Sequence, residues 1–262
     1  MNDDRPANPP APTASPTPST DGPVGPSGIL VVDKHLGPTS MDICRMVKRR
    51  LIAGGAGKKV KVGHGGTLDP LATGILVVLI GKCTKLCDAV MADQKVYLTD
   101  VDLSAFSTTD DAEGERTEIT PAVVPTIDDV RAACQRFVGQ IQQTPPIYSA
   151  IKIDGQEAYK LARKGQTEGV VMAARTVRID HIAVHSYTWP HAVLEVTCGK
   201  GVYIRSLARD LGVALGTGGT LASLRRTRIG SFDLASSRTI ASMGDKLVQS
   251  DLTQPEQRTP SR

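Results

Sequence analysis

One segment of the chain reads Gly63-His64-Gly65-Gly66-Thr67-Leu68-Asp69-Pro70-Leu71-Ala72-Thr73-Gly74, and Asp69 is its single acidic residue. An unbroken apolar run at 75–80 follows directly, and such a run between glycines predicts a buried strand. A rigid loop that ends at a core strand is able to hold one acid in place for catalysis. The same residues also suit a structural turn in which Asp69 accepts hydrogen bonds from neighbouring backbone amides. On local chemistry alone the structural turn is favoured.

The composition allows a sizeable core but identifies no partner. The chain has 262 residues, is 40% hydrophobic and carries a formal net charge of +4, which permits nucleic-acid binding without demonstrating it. The cysteines are five, an odd number, and the N-terminal segment lacks an apolar signal region. We therefore expect a reducing cytoplasm rather than a disulfide framework or secretion. The cysteine spacing does not match a zinc site, and no apolar stretch is long enough for a membrane span.

The sequence predicts one folded domain between two polar ends. Residues 1–27 hold eight of the seventeen prolines and cannot bury a core, so they are predicted to form a disordered tail. The folded domain is predicted at 28–250, and residues 251–262 are predicted to form a loose C-terminal tail. Strands and helices do not alternate regularly, which disfavours a doubly wound parallel sheet. We therefore predict an α+β fold with a mixed, largely antiparallel sheet flanked by helices.

Two basic clusters lie far apart in the sequence. A helix capped by Thr39 or Ser40 is predicted to place apolar residues on one face and basic residues on the other. The first basic cluster comprises that basic face and the glycine-rich loop after it: Arg45, Lys48, Arg49, Arg50, Lys58, Lys59 and Lys61. The second basic cluster is the segment 221–228, which contains Arg225, Arg226 and Arg228. The first cluster fits a solvated surface and a phosphate-binding surface about equally well.

Three other segments have predicted structures that bear on a site. The polar, acidic segment 107–114 could bind a divalent cation, but its spacing does not match an EF-hand loop and an exposed turn is the default interpretation. Residues 126–138 predict a helix capped by Thr126, and residues 142–150 an extended loop. A third helix, after residue 201, is predicted to carry Arg205 and Arg209 four residues apart on one face.

The segment 63–74 resembles a signature of the TruB family of tRNA pseudouridine synthases, which make pseudouridine-55. That signature reads Gly-His-Thr-Gly-Thr-Leu-Asp-Pro-Leu-Ala-Thr-Gly, and the chain differs from it at Gly65 alone. Four further stretches agree in the family's order: 28–40, 95–114, 145–165, and 196–212 continuing through Arg225-Arg226. The resemblance covers the chain from about residue 28 to about residue 240 and implies the pseudouridine synthase fold.

The resemblance implies a role for each of six residues. Asp69 matches the family's catalytic aspartate, and Arg205 matches the arginine that pairs with it. The other four match residues that contact the flipped-out nucleotide: Tyr97 stacks against the target base, Tyr203 is a pocket tyrosine, Leu224 forms an apolar wall, and His64 fills space nearby.

The implied chemistry is isomerisation of a uridine in the T-loop of tRNA. Contacts with an aromatic face and an apolar wall replace the stacking that a base loses when it is extruded. Arg205 would hold Asp69 ionised and aimed, so that Asp69 acts as a nucleophile or accepts a proton while the N1–C1′ bond breaks. Attack at C1′, attack at C6 and abstraction of a ribose proton all remain open. The reaction involves no net redox or hydrolysis, so we expect no cofactor and no metal.

The sequence leaves two alternatives to a catalytic function on free tRNA. A tRNA-binding folding chaperone with secondary or lost catalysis would need the basic clusters but not Asp69, Tyr97 and Arg205 together. A third hypothesis is a guide-RNA-dependent relative that works in a ribonucleoprotein, which the expected lack of a C-terminal RNA-binding domain disfavours. The expected partner is the T-arm and T-loop of tRNA, with no obligate protein partner, no membrane and a monomeric state.

Two departures from the family pattern have structural consequences. Gly65 stands where the family usually has threonine, and we expect it to loosen the loop beside His64. The chain is also expected to end before the small C-terminal RNA-binding domain that many relatives carry. In that case the basic clusters would have to bind the tRNA.

Overall fold

A computed structural model describes residues 25–149, 151–153, 155–163, 165 and 170–255. The helices are α1 (Ser40–Ala53), α2 (Cys87–Ala92), α3 (Ile127–Gln135), α4 (Ala158–Arg163) and α5 (Ile204–Leu215), with short 3-10 helices at Gly81–Leu86 and Gln249–Asp251. Among the residues described, no helix has both the length and the apolar character needed to cross a membrane.

Most strands belong to one mixed sheet. The strands are β1 (Gly28–Lys34), β2 (Val62–His64), β3 (Ala72–Ile80), β4 (Lys95–Asp102), β5 (Ala105–Ser107), β6 (Arg116–Glu118), β7 (Gly139–Gln143), β8 (Lys152–Ile153), β9 (Gln156–Glu157), β10 (Arg175–Thr188), β11 (His191–Cys198), β12 (Thr220–Ile229), β13 (Phe232–Asp233) and β14 (Arg238–Thr239). The large sheet has the order β14-β1-β3-β12-β4-β11-β10-β7, with β2 paired to β3 and β13 paired to β12. Only two of its pairings, β1 with β14 and β3 with β12, are parallel. The predicted α+β fold with a largely antiparallel sheet is confirmed.

The strand after the segment 63–74 is buried on both faces, as its unbroken apolar run predicts. Leu76, Val78 and Ile80 of β3 join the larger core, in which α1, α3 and α5 also pack. Ile75 and Val77 point to the opposite face and join a smaller core that α2 and the neighbouring 3-10 helix cover. Because β12 lies between β3 and β4, the loop before β3 sits beside the centre of the sheet.

Local sequence signals located the helices well and one strand poorly. Thr39 caps α1 and Thr126 caps α3, each in a capping box, as predicted. Helix α3 ends at Gln135, before the predicted end at 138. The predicted loop at 142–150 is wrong at its start, because β7 continues to Gln143 and pairs there with β10. That pairing depends on a partner more than thirty residues away, so no local pattern reveals it.

The ends of the folded region lie against β1. Residues 1–24 and 256–262, on which the tail predictions mainly fall, lie outside the described residues. Thr253 exchanges backbone hydrogen bonds with Ile29 at 2.8 and 2.9 Å, and Leu252 is buried. The first residues of the predicted C-terminal tail are therefore packed on the sheet, and the division at residue 250 stays a prediction.

Gly65 is a tightly packed position rather than a loose one. Its N–H donates to the carbonyl of Val77 at 2.8 Å, which attaches the loop to β3. A Cβ atom placed on Gly65 would lie 2.4 Å from Cγ1 of Val90 on α2, and Val90 is itself buried. The isopropyl group of Val90 therefore takes the space that a threonine would need, and the expected loosening beside His64 is not what this packing indicates.

We predict that Gly65→Thr lowers the free energy of unfolding by about 1–3 kcal/mol, because the new side chain overpacks against Val90. Adding Val90→Ala should recover most of that loss, a coupling that two contacting sites show and distant sites do not. Urea denaturation of both single variants and the double variant measures it. Gly63→Thr is the matched control, since a Cβ there meets nothing within 4 Å. A Gly65→Thr protein as stable as the parent would contradict the packing.

Candidate active site

Asp69 lies in the loop between β2 and β3 and forms an ion pair with the first turn of α5. Its Oδ2 is 2.9 Å from Nη2 of Arg205. The Asp69 side chain is 34% exposed, whereas that of Arg205 is only 6% exposed. The carboxylate therefore stays accessible to a substrate while its partner is fixed inside the protein.

Arg205 is held by a second acid and by two carbonyl groups. Its Nη1 lies 3.4 Å from Oδ2 of the buried Asp111 and 3.4 Å from the carbonyl oxygen of Thr109. Its Nη2 also donates to the carbonyl of Tyr148 at 2.9 Å. A buried guanidinium needs this number of partners, since leaving a buried charge unpaired is costly. Arg205 thus joins Asp69 to the loop that contains Asp111.

The default interpretation of segment 107–114 as an exposed turn is wrong at its two aspartates. Asp111 is 2% exposed, and Asp110 pairs with Arg209 at 2.7 Å. Burial raises the pKa of Asp110, although the charges of Arg209 and Arg205 oppose that shift. Arg205 and Arg209 lie on one face of α5, as predicted, and each engages one of these acids. The helix was readable from the sequence, but the docking of this loop on it was not.

The backbone of the Asp69 loop is held from below by Arg226, which is 1% exposed. Its Nε donates to the carbonyl of Ile75 at 2.8 Å, and its two terminal nitrogens donate to Thr67 and Gly66 at 3.1 and 3.2 Å. The expectation that the basic clusters bind the tRNA is therefore wrong for Arg226. Its neighbour Arg225 pairs with Asp33 at 2.8 Å. Both arginines are engaged within the protein because they lie on a central strand, which the local composition does not reveal.

Two residues, one at the end of β1 and one at the start of α1, fix the other side of the Asp69 loop. Ser40 Oγ donates to the carbonyl of Leu68 and accepts from its N–H, both at 2.8 Å. Lys34 is fully buried and donates to the carbonyls of Pro70, Pro38 and His35 at 3.3, 2.9 and 3.1 Å. Burial lowers the pKa of Lys34 to about 8, while the nearby charge of Asp69 acts in the opposite direction. Sequence reasoning missed Lys34, Asp111 and Arg226.

Tyr97 and Leu224 lie on neighbouring strands beside this loop. Tyr97 on β4 is the register partner of Arg226 on β12. Burial raises the pKa of the Tyr97 hydroxyl, a shift that the charge of Arg226 opposes and the charge of Asp69 increases. Leu224 is two residues before Arg226 and pairs with Ala72, the first residue of β3. The structure therefore places Tyr97 and Leu224 on adjacent strands near the start of β3, which begins three residues after Asp69.

His64 and Tyr203 complete the set of predicted site residues. His64 ends β2, and burial together with the charge of Arg226 lowers its pKa. The neutral imidazole therefore predominates at neutral pH, and its buried Nδ1 lacks a hydrogen-bond partner within the described part of the chain. Tyr203 is the N-cap of α5, two residues before Arg205. Its ring packs under the guanidinium of Arg175 at 4.9 Å.

This arrangement supports covalent or acid–base chemistry on a ligand that approaches one partly exposed carboxylate. Asp69 faces a fixed cation, so its negative charge is oriented before any substrate binds. Tyr97 and Leu224 offer aromatic and apolar surface next to it, which suits a planar, uncharged ring.

Comparison with protein families gives matches along most of the chain. Residues 50–204 match a model described as TruB family pseudouridylate synthase (N terminal domain), and residues 205–257 match one described as tRNA pseudouridylate synthase B C-terminal domain. The boundary between the two models falls between Ile204 and Arg205, within the first turn of α5.

Individual relatives agree with these models. The chain is 45% identical to a tRNA pseudouridine synthase B of Mycobacterium sp. (strain KMS), covering 84% of this chain and 72% of the relative. It is 40% identical to a protein of the same name from Phocaeicola vulgatus, covering 86% and 94%. A crystal structure of a Cbf5-Nop10-Gar1 complex matches with a TM-score of 0.62 and 29% identity over 82% of this chain. This chain spans about half, 52%, of that solved chain.

The lowered pKa of Lys34 predicts a specific dependence of stability on pH. Between its folded value of about 8 and its unfolded value of about 10.4, the unfolded chain binds more protons, so stability rises with pH. The stabilising contribution is complete above the unfolded value and is lost as pH falls through about 8.

Lys34→Met should remove this dependence, and the difference in unfolding free energy between parent and variant should change by up to about 3 kcal/mol across the window. Urea denaturation at pH 7.5, 9 and 10 measures it. Lys82→Met, at an exposed position, is the control. A parent-minus-variant difference that does not vary with pH would show that Lys34 is not charged and buried as described.

Proposed function

The chain belongs to the TruB family of pseudouridylate synthases, and we propose that it converts uridine 55 in the T-loop of tRNA to pseudouridine, with Asp69 as the catalytic carboxylate. Proteins named tRNA pseudouridine synthase B that are 40–45% identical over most of the chain support an isomerase that acts on tRNA. The observation that carries the assignment of Asp69 is its 2.9 Å ion pair with the buried Arg205.

The reaction moves the glycosidic bond from N1 to C5 of the uracil ring. The bond from C1′ of the ribose to N1 breaks, the freed ring turns within the pocket, and a new bond joins C1′ to C5. The proton on C5 is then lost, and N1 gains one, so no atom is added overall. Asp69 contributes as a nucleophile or as a base while the first bond breaks. Its accessible carboxylate and the enclosed ion pair fit either role.

The residues around Asp69 divide between holding the base and holding the loop. In the proposal, Tyr97 and Tyr203 provide aromatic surface, Leu224 an apolar wall, and His64 neutral bulk beside the extruded nucleotide. Lys34, Ser40 and Arg226 each bond to backbone atoms of the Asp69 loop and thereby keep the carboxylate in place. A lone turn-capping aspartate would need none of this support.

The first basic cluster is the proposed contact with the phosphate backbone. Lys58, Lys59 and Lys61 are exposed in the loop between α1 and β2, and the side chain of Arg45 is 62% exposed. Arg50 is instead used structurally, since it donates to the carbonyl of Gly244 at 3.2 Å. Exposed cations in a glycine-rich loop are suited to non-specific phosphate contacts.

A folding chaperone without catalysis is the less well supported alternative. Such a protein would need the exposed cations but not a carboxylate held between a buried arginine and three loop-bracing side chains. We propose that the chain works on free tRNA as a monomer, without a guide RNA or cofactor, in the cytoplasm where bacterial tRNA is found.

Asp69→Asn should lower the single-turnover rate of pseudouridine formation by about 10³-fold or more, because the carboxylate can neither attack nor accept a proton. Release of tritium from tRNA labelled at C5 of uridine measures the rate, and chemical mapping locates the product. Asp128→Asn, a change of an exposed acid on α3, is the control and should keep the parent rate. Modification by Asp69→Asn at the parent rate would rule out Asp69 as the catalytic residue. Product at another nucleotide would rule out specificity for uridine 55.

The affinity for tRNA should fall steeply with added salt, as phosphate contacts require. Replacing Lys58, Lys59 and Lys61 by glutamine should weaken binding and reduce the slope of log affinity against log salt by about 2, since each lost phosphate contact removes about 0.7–0.9. Binding titrations with the Asp69→Asn protein avoid turnover. The control is Arg131→Gln with Arg136→Gln, two exposed arginines at α3 and its C-terminal end; an equal loss there would contradict a localised RNA surface.

A further inference from the structure

We propose that Gln143 and Arg175 are positioning residues that set the place of Tyr203 in the pocket. The inference rests on the proposed function, because Tyr203 matters only if a base enters beside Asp69. Gln143 ends β7 and Arg175 begins β10, and the two are direct register partners in this antiparallel pair. Directly opposed residues of such a pair extend from the same face of the sheet. Both side chains therefore reach the same neighbouring segment, the turn at 199–203 before α5.

Gln143 holds the backbone of Tyr203 at two points. Its Nε2 donates to the carbonyl of Tyr203 at 3.1 Å, and its Oε1 accepts from the N–H of Tyr203 at 2.9 Å. The side chain is fully buried, so neither bond competes with water. A primary amide is the one uncharged side-chain group that supplies both a donor and an acceptor in this geometry.

Arg175 contacts the ring of Tyr203 and the backbone of Gly201, in the turn at 199–203. Its Nη2 donates to the carbonyl of Gly201 at 2.6 Å, and the centre of its guanidinium lies 4.9 Å from the centroid of the Tyr203 ring. That distance is within the range of a favourable cation–π contact. One face of the aromatic ring is thus covered by the guanidinium, and in the proposal a base contacts the opposite face.

The same edge of the sheet also fixes the helix that carries Arg205. Tyr203 is the N-cap of α5 but makes no capping hydrogen bond with its own side chain. The carbonyl of Thr144, next to Gln143, accepts from Ser206 Oγ at 2.8 Å and from Nη2 of Arg209 at 2.9 Å. The end of β7 therefore determines where α5 starts, and with it the relative placement of Tyr203 and Arg205.

A purely structural role for Arg175 predicts a different result from a positioning role. A structural residue would lower stability and change the rate independently of Tyr203. A positioning residue acts through Tyr203, so its loss has no further effect once the Tyr203 ring is gone. A double-mutant cycle on the single-turnover rate separates the two.

The experiment measures single-turnover pseudouridine formation by the full chain for Arg175→Gln, Tyr203→Ala and the double variant. Arg175→Gln should slow the reaction by about 10- to 100-fold, the usual effect of a misplaced group. The double variant should be no more than about 2-fold slower than Tyr203→Ala, within the error of additivity. Multiplicative effects in the double variant would overturn the proposal. Arg178→Gln, an exposed position on the same strand, is the control and should leave the rate unchanged.

Further variants and a binding assay complete the test. Arg175→Lys keeps the charge but loses the planar face, so it should also slow the reaction. It replaces Arg175→Gln in the experiment if Arg175→Gln does not fold. Gln143→Met should slow turnover at least about 10-fold by the same misplacement, with tRNA affinity unchanged. An Arg175 variant that binds tRNA more weakly, with a smaller salt slope, would show that Arg175 contacts phosphate and would overturn the positioning role. If wild-type protein makes no pseudouridine, the proposed function fails and this inference fails with it; if wild-type protein is active and the effects multiply, the inference alone fails.

Discussion

The pairing of one buried cation, Arg205, constrains the whole site. A guanidinium that is almost entirely enclosed must have anionic and carbonyl partners, because an unpaired buried charge would cost several kcal/mol. The protein meets this requirement by bringing three distant segments to α5: the loop of Asp69, the loop of Asp111 and the segment that ends at Tyr148. The carboxylate that faces solvent is thus paired with a cation that two further segments also hold in place.

The central position of β12 supplies the second constraint. Strand β12 pairs in parallel with the start of β3 and antiparallel with β4, so Arg226 lies beneath the Asp69 loop and bonds to its carbonyls. Close approach of the two strands also explains Gly74, which ends the segment 63–74. Its φ is +99°, and a Cβ atom there would lie 2.2 Å from the carbonyl oxygen of Arg226. A side chain at this position would push apart the strands that support the loop.

Some of the site could be anticipated from sequence, and some could not, for reasons that differ by residue. The segment 63–74, the helix with Arg205 and Arg209, and the capped helix α1 follow from glycine spacing, apolar periodicity and capping residues. Asp111 looked like a solvated turn residue and Arg226 like part of a basic surface, because local composition does not record which strand or helix will cover a side chain. Gln143 fell in a segment expected to be a loop, since its strand forms by pairing with the distant strand β10. The roles of Tyr97, Tyr203, Leu224 and His64 remain proposals that rest on the family pattern.

By itself the sequence determined the segment 63–74, the buried strand that follows it, the α+β class and the family, because these depend on short-range patterns of glycine, proline and apolar residues. Only the tertiary structure decided that Asp69 is a supported, accessible carboxylate rather than a turn cap. It also decided which charges are solvated and which are enclosed. The physical reason is that the cost of burying a charge or a polar amide, and the partner that offsets it, depend on contacts between residues far apart in the chain.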